Sequence, residues 1–360
     1  MPARVTDGTC LAKLVKLAIP LCRAAQCQSP IAGPGRPPEF DDWKIAVMIM
    51  AAILKSRKSK SGQYRFLYEH RRKLKRWLGL KHFPARSTYF ERYAGAHRLF
   101  KAAIVLQGRQ ALKEGVTTAQ SVSADKSLLQ ARGMPWHGKR RCHGKVPSKL
   151  HGVDRQADWG YSPYHKWVYG YSYEVMTTAD AGTIHLPLSA SADVASASEH
   201  ASFPAKIKHV PKMTRFVLSD TGYDSNAIGD AVELDESGRA TGCRFVCPPN
   251  RRNLTGPGSR SSRGHMSPSQ CEAQDRRWRR INFYRSPRGQ KVYARRGQSV
   301  EPLHDRLKSL FDMDPRVWHR GLGNNQTQLL GMIFCYQLLL RYNHRNGRRN
   351  SQVKWIMESI

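Results

Sequence analysis

The sequence predicts a mixed α/β fold in which an all-α N-terminal segment precedes a β-sheet flanked by helices. Three observations lead there. The run TRFVLSD (214–220) is apolar in its middle, as a strand buried on both faces requires. WVYGYSYEVMTTA and TIHLPLSASA flank a small DAG turn, the pattern of a β-hairpin. Segments before residue 115 and after residue 300 instead space their apolar residues three and four apart, the helical period.

Along the chain, residues 1–40 close on IAGPGRPPEF, a Pro and Gly stretch that cannot hold a long helix, and read as a flexible lead-in. DWKIAVMIMAAILKSRKSKSG (42–62) opens on a capping Asp and reads as a buried helix with a basic exit. SGQYRFLYEHRRKLKRWLGL (61–80) sets Tyr64, Leu67, Tyr68, Leu74 and Leu78 at helical spacing against a charged face of Arg71, Arg72, Lys73, Lys75 and Arg76. A third helix is expected from Pro84, with Thr88 and Glu91 spaced as a capping box. Residues 41–115 therefore read as a helical DNA-binding domain of the helix-turn-helix kind, with a helical platform bearing a solvated basic face as the alternative.

The second domain is expected over 116–345. Its first strand ends at Asp125 in VSADKS, a long loop covers 131–165, and the hairpin follows. A helix over 195–207 then leads to the strand ending at Asp220, and CRFVC is the last strand. Residues 249–290, rich in Arg, Ser, Gly and Pro, read as a flexible basic loop insertion. VEPLHDRLKSLF places Val300, Leu303, Leu307 and Leu310 on one helical face, NNQTQLLGMIFCYQLLLRYNHR forms a long C-terminal helix, and 346–360 is a tail.

Sixty Lys and Arg against twenty-seven Asp and Glu give a net charge of +33, a surplus that repels itself unless a polyanion is nearby, and nucleic acid is the first candidate partner. No apolar run reaches the roughly 18 residues that span a bilayer, and the start lacks a signal-peptide plan, so a cytoplasmic protein with no membrane partner is expected. The eight cysteines follow no disulfide framework. Cys243 and Cys247 flank an apolar strand with no second close pair, which favours buried strand cysteines over zinc ligands, and His137, His143 and His151 lack the tight spacing of a zinc site.

Breaking a DNA phosphodiester requires an oxygen nucleophile, a stabilised leaving oxygen and shielding of phosphate charge, which two Mg2+ or Mn2+ ions about 3.5–4 Å apart supply. Such ions take carboxylates that converge from the ends of elements. Asp125 and Asp220 at strand ends, and Glu301 in the first turn of a helix, are the candidates. Taken singly, each also suits a turn cap or a helix dipole, and Asp224 competes with Asp220, although it is better placed to cap the following helix.

Their order and flanks resemble the DDE transposases of bacterial insertion sequences, in the group of families four and five, over roughly residues 40–345. LSDTGYDS is similar to the motif around that family's second aspartate. Tyr293, Arg296, Glu301 and Lys308 are similar to its signature of Tyr, Arg, Glu and Lys, with six residues between Glu301 and Lys308 as in the family but four rather than three between Arg296 and Glu301. The resemblance implies a ribonuclease H-like mixed sheet with Asp125, Asp220 and Glu301 as the catalytic and metal-holding residues. It implies DNA contacts by Tyr293, Arg295 or Arg296, and Lys308, beside the basic face of Arg71, Arg72, Lys75 and Arg76. It further implies double-stranded DNA as partner, a homodimer on DNA at the nucleoid, and cleavage at transposon ends followed by strand transfer. A ribonuclease H-fold nuclease without strand transfer, or a transposase-derived DNA-binding protein, are the alternative expectations.

Overall fold

The computed structural model describes residues 9–28, 39–136, 146, 150–164, 166–251 and 267–360. The first element corrects the expected lead-in. Helix α1 (Cys10–Gln28) buries Leu11, Leu14, Val15, Ala18, Cys22 and Ala25, a stripe at helical spacing that packs on the helices that follow. Its Pro20 forfeits one backbone bond, which the packing of that stripe outweighs. Of the Pro and Gly stretch, 29–38 lies outside the described residues.

Helix α2 (Asp42–Leu54) is apolar nearly all round and is buried from Ile45 to Leu54, so it forms the centre of the helical layer. Each of the next two expected helices is divided. The chain breaks at His70 between α3 (Lys60–Glu69) and α4 (Arg71–Leu78), and again between α5 (Arg86–Tyr93) and α6 (His97–Lys113). Helix α5 begins at Arg86 after Ala85, so Thr88 already lies inside it and the expected capping box does not form.

Strand β1 (Ser121–Gln130) continues past Asp125 instead of ending there, because residues 122–130 pair in register with the long β3 (Lys166–Thr178). Part of the expected 131–165 loop is also a strand: β2 (Asp158–Ser162) pairs antiparallel with the start of β3. The expected hairpin is present as β3 and β4 (Pro187–Val194). Helix α7 (Glu199–Ile207) leads to β5 (Phe216–Leu218), then α8 (Asn226–Glu233) to β6 (Arg244–Val246). The sheet runs β2-β3-β1-β5-β6, with β4 also on β3, and β1, β5 and β6 are mutually parallel while β3 opposes them.

The expected basic insertion is corrected as well. Helix α9 (Pro268–Arg285) opens with a full capping box from Ser267 and Gln270, and α10 (Pro287–Tyr293) follows. Three of the arginines of α9 are paired internally: Arg276 and Arg280 bind Asp230, Arg280 also binds Glu233, and Arg277 binds Asp224 at 2.8 Å. Residues 252–266 of that segment lie outside the described residues. Helices α11 (Arg295–Leu310) and α12 (Leu322–Arg345) follow, and the supposed tail carries α13 (Lys354–Ser359), which buries Ile356.

One hydrophobic cluster runs from α1 and α2 through α6 and α12 to β1, β3 and β4, so the expected boundary at 115/116 separates no two cores. Among the described residues, no helix is long and apolar enough to cross a membrane.

Candidate active site

Strand register brings the two aspartates together. Ser123 of β1 lies beside Leu218 of the parallel β5. Two residues further along each chain stand Asp125, in mid-strand, and Asp220, just past the end of β5. Apolar Val217 and Leu218 lock β5 into the core, which delivers Asp220 to the carboxyl edge of the sheet.

Helix α11 crosses this face and is pinned to β1 at three levels. Arg295 donates to Ser121 Oγ (2.7 Å), Ser299 and Ser123 hydroxyls meet at 2.6 Å, and Arg296 donates to Asp125 Oδ1 at 2.9 Å. The same Arg296 nitrogen lies 4.0 Å from Asp220 Oδ2, so one guanidinium stands between the two carboxylates. Nε2 of the buried His304 faces Asp125 Oδ2 at 3.5 Å, a charge contact longer than a well-formed hydrogen bond, and its Nδ1 lies 3.0 Å from the Tyr173 hydroxyl.

These neighbours push the two carboxyls apart in acidity. Burial works to raise Asp125, but His304, Arg296 and the Lys126 backbone N–H together pull it below the ordinary carboxylate value. Asp220 is raised, first by burial and then by the charge of Asp125, against the opposing pull of Arg296 and the Gly222 N–H. Asp220 also uses one oxygen to cap the short turn Thr221–Tyr223, accepting from Gly222 N at 2.9 Å. Its side chain keeps 44% of its surface exposed against 15% for Asp125, so Asp220 is the open side of the pair.

Glu301 lies on the same helix but is exposed, its carboxylate curled back toward Gly297. Among the described residues no ion pair or hydrogen bond joins it to either aspartate. Helical geometry explains this: Arg296, Val300 and His304 recur every four residues on the face against β1, and Glu301 falls one residue off that stripe. The extra residue between Arg296 and Glu301 has this rotation as its consequence. His304 lies on that stripe, and sequence reasoning missed it, because spacing alone gives a lone histidine no role.

The remaining candidates separate into anchors and surface. Arg295 serves the β1 contact, and Tyr293 packs edge-on against Tyr284 at 5.2 Å with its hydroxyl pushed up to about 12, chiefly by burial. Lys308 is half-buried two turns beyond Glu301. On α4, Arg72 and Arg76 are exposed, Lys75 is half-buried, and Arg71 stacks on Tyr68 at 4.3 Å. Asp224 does not cap α8, a task Ser225 performs; it accepts from Asn250 N and Arg277.

Cys247 donates its thiol to the Asp220 carbonyl and Cys243 is pushed up to about 12, chiefly by burial, so both behave as protonated strand-flanking thiols. His151 is exposed; His137 and His143 lie outside the described residues. A cavity of about 770 Å³ opens behind the sheet, but it touches neither aspartate, and its acids Glu174 and Glu199 are held by Lys206 and Lys126. Among the described residues no three His, Cys, Asp or Glu side chains already converge as a metal cage. The space between Asp125 and Asp220 is nevertheless built for positive charge, since a cation occupies it already. Hard carboxylate oxygens of this kind suit Mg2+ or Mn2+.

No protein-family model matches the sequence, and no curated protein matches it.

Proposed function

We propose that the chain is a DNA transposase of the DDE type, cutting DNA at the ends of an insertion sequence and joining them to a target. The observation that carries this reading is the pairing of Asp125, on the central strand, with Asp220, at the end of the adjacent parallel strand, around one shared cation. The strand order supports a ribonuclease H-like sheet: antiparallel β4, β3 and β1, then parallel β5 and β6.

In this reading Asp125 and Asp220, with Glu301 turning inward, hold two Mg2+ or Mn2+ ions. The ions supply shielding of phosphate charge and a more acidic attacking oxygen. Arg296 keeps the two carboxylates from repelling each other before metal and DNA arrive, and then turns to a phosphate oxygen. Lys308 and the basic face of α4 grip the backbone, and the +33 surplus draws the polyanion in, as part of a homodimer on double-stranded DNA in the cytoplasm. A DNA-binding protein of transposase descent is the second reading, favoured by the outward Glu301.

The test is cleavage and strand transfer on a supercoiled plasmid carrying the gene's own flanking repeats, in Mg2+ or EDTA. Wild type is compared with Asp125→Ala, Asp220→Ala and Glu301→Ala. Metal-dependent joining lost in all three variants is the expected result. Tight DNA binding without cleavage in any metal establishes the binding protein, and nicking without joining establishes a nuclease.

A further inference from the structure

Strand β3 carries a row of aromatic side chains on one face. Trp167, Tyr169, Tyr171 and Tyr173 alternate along it, and by the two-residue period of a strand they share the face of Val175, the residue opposite Asp125. The inner members have partners: Tyr173 meets His304, Tyr171 donates to Asp154 Oδ2 (2.8 Å), and Tyr169 donates to the Asp154 carbonyl (2.7 Å). The outer members run into solvent. Tyr161 of β2 pairs with Trp167 across the strands, the two rings meet edge-on at 5.4 Å, and they are 55% and 53% exposed; Tyr164 in the connecting turn is 87% exposed.

The hairpin extends beyond the Gln130 end of β1, the direction in which β5 delivers Asp220. From Val175 to Trp167 is eight residues of strand, about 26 Å, or about eight base pairs of duplex at 3.4 Å each. Cations outnumber acids along this border: Arg316 lies beside Gln130, Arg320 and Arg132 are tied to backbone carbonyls, and Lys166 is exposed at the strand start, against the exposed Asp158, which accepts from Ser196. A second copy would bring the same net charge of +33 to this border and be repelled, whereas a polyanion matches it.

We propose that the tip of the β2–β3 hairpin is a second DNA-gripping site, in which Tyr161, Tyr164 and Trp167 stack on or wedge between base steps about eight base pairs from the cleaved phosphate. It rests on the reading of the chain as a DNA transposase. The aromatic faces take bases without reading their sequence, and the flanking arginines take phosphates, so the tip sets the path of the duplex and not its identity.

The full chain is tested as wild type, as Tyr161→Ser/Trp167→Ser, and as Tyr161→Phe/Trp167→Phe, after thermal melting shows all three folded. Binding to a duplex from the gene's own flanking repeats is followed by anisotropy and hydroxyl-radical footprinting, with light scattering for mass. The Ser variant is expected to bind at least about tenfold more weakly and to lose protection about eight base pairs from the cleavage point, while the Phe variant behaves as wild type. Unchanged affinity and footprint in the Ser variant overturn the proposal and leave the transposase reading standing. Loss of self-association with DNA affinity intact also overturns it, assigning the patch to a second copy. Failure of the wild type to bind any duplex overturns both readings.

Discussion

Arg296 is the residue on which the candidate site turns. Its guanidinium satisfies Asp125 and approaches Asp220, so two carboxylates coexist in a half-buried place only while it, or another cation, is present. Arg296→Ala is therefore expected to lower stability by about 1–3 kcal/mol without divalent metal. Added Mg2+ should raise the melting temperature of this variant more than that of wild type, as read by differential scanning fluorimetry. An equal response in both would show that the space between the aspartates takes no divalent ion. Asp220→Asn, which keeps the cap to Gly222 and removes the charge, is expected to fold normally and to cut cleavage at least about a thousandfold while DNA affinity changes little. Asp125, read as a strand end, stands in mid-strand, but Asp220 was readable from its flanking strand pattern, since an apolar run ending in Asp says both where the strand goes and where its carboxylate emerges. His304 was not, because a lone histidine acquires meaning only from what faces it.

At the scale of elements, α1 teaches the most. Its stripe is as regular as that of any helix in the chain, yet the Pro and Gly residues that follow it argued for a flexible segment. Leu14 and Val15 are fully buried against neighbours distant in sequence. Leu14→Ala is expected to cost about 2–4 kcal/mol, measurable by urea denaturation. Removing residues 1–28 should expose the inner faces of α2 and α6 and leave the protein insoluble. A truncated chain that stays soluble with an unchanged melting curve would contradict this account. Helix α9 makes the converse point: its arginines looked like a solvated basic segment, but Asp224, Asp230 and Glu233, more than forty residues earlier, pair with Arg276, Arg277 and Arg280.

For the molecule as a whole, a buried histidine and a half-buried glutamate shape the response to acid. Burial keeps His319 neutral down to about 3, with Lys60 and Arg132 adding to the effect, whereas the unfolded chain takes up that proton below about 6.5. Burial alone would raise Glu114, but Arg341, Arg345 and Gln110 hold it at about 2, below the ordinary 4.5. In both cases the unfolded state binds the extra proton, so stability is full above pH 6.5. It falls first through His319 and then, below about 4.5, through Glu114, each by up to about 1.4 kcal/mol per pH unit. His319→Gln should flatten the decline between pH 6.5 and 4.5. Glu114→Gln should instead lower stability by roughly 2–3 kcal/mol at neutral pH, because it removes the Arg341 and Arg345 ion pairs that tie α12 to the end of α6. Urea unfolding at several pH values separates the two. The charge of +33 acts at the same scale: DNA affinity should fall steeply with salt, by orders of magnitude between 50 and 200 mM, as counterion release requires.

Amphipathic period, apolar strand runs and net charge are local or additive quantities, and these the sequence determined by itself: the mixed α/β class, the β3–β4 hairpin, α2 as a buried helix, a long helix at α12, Asp220 at the end of an apolar strand, and a net charge of +33. Pairing is neither local nor additive. Only the tertiary structure decided that β1 continues past Asp125, since its second half is held by β3; that the helical segment and the sheet share one core; that α9 is an ordered, charge-matched helix; and that Arg296 and His304, not Glu301, face Asp125. Each of these depends on which distant surface an element meets, and on the rotation of a helix about its own axis, where one residue moves a side chain by about 100°.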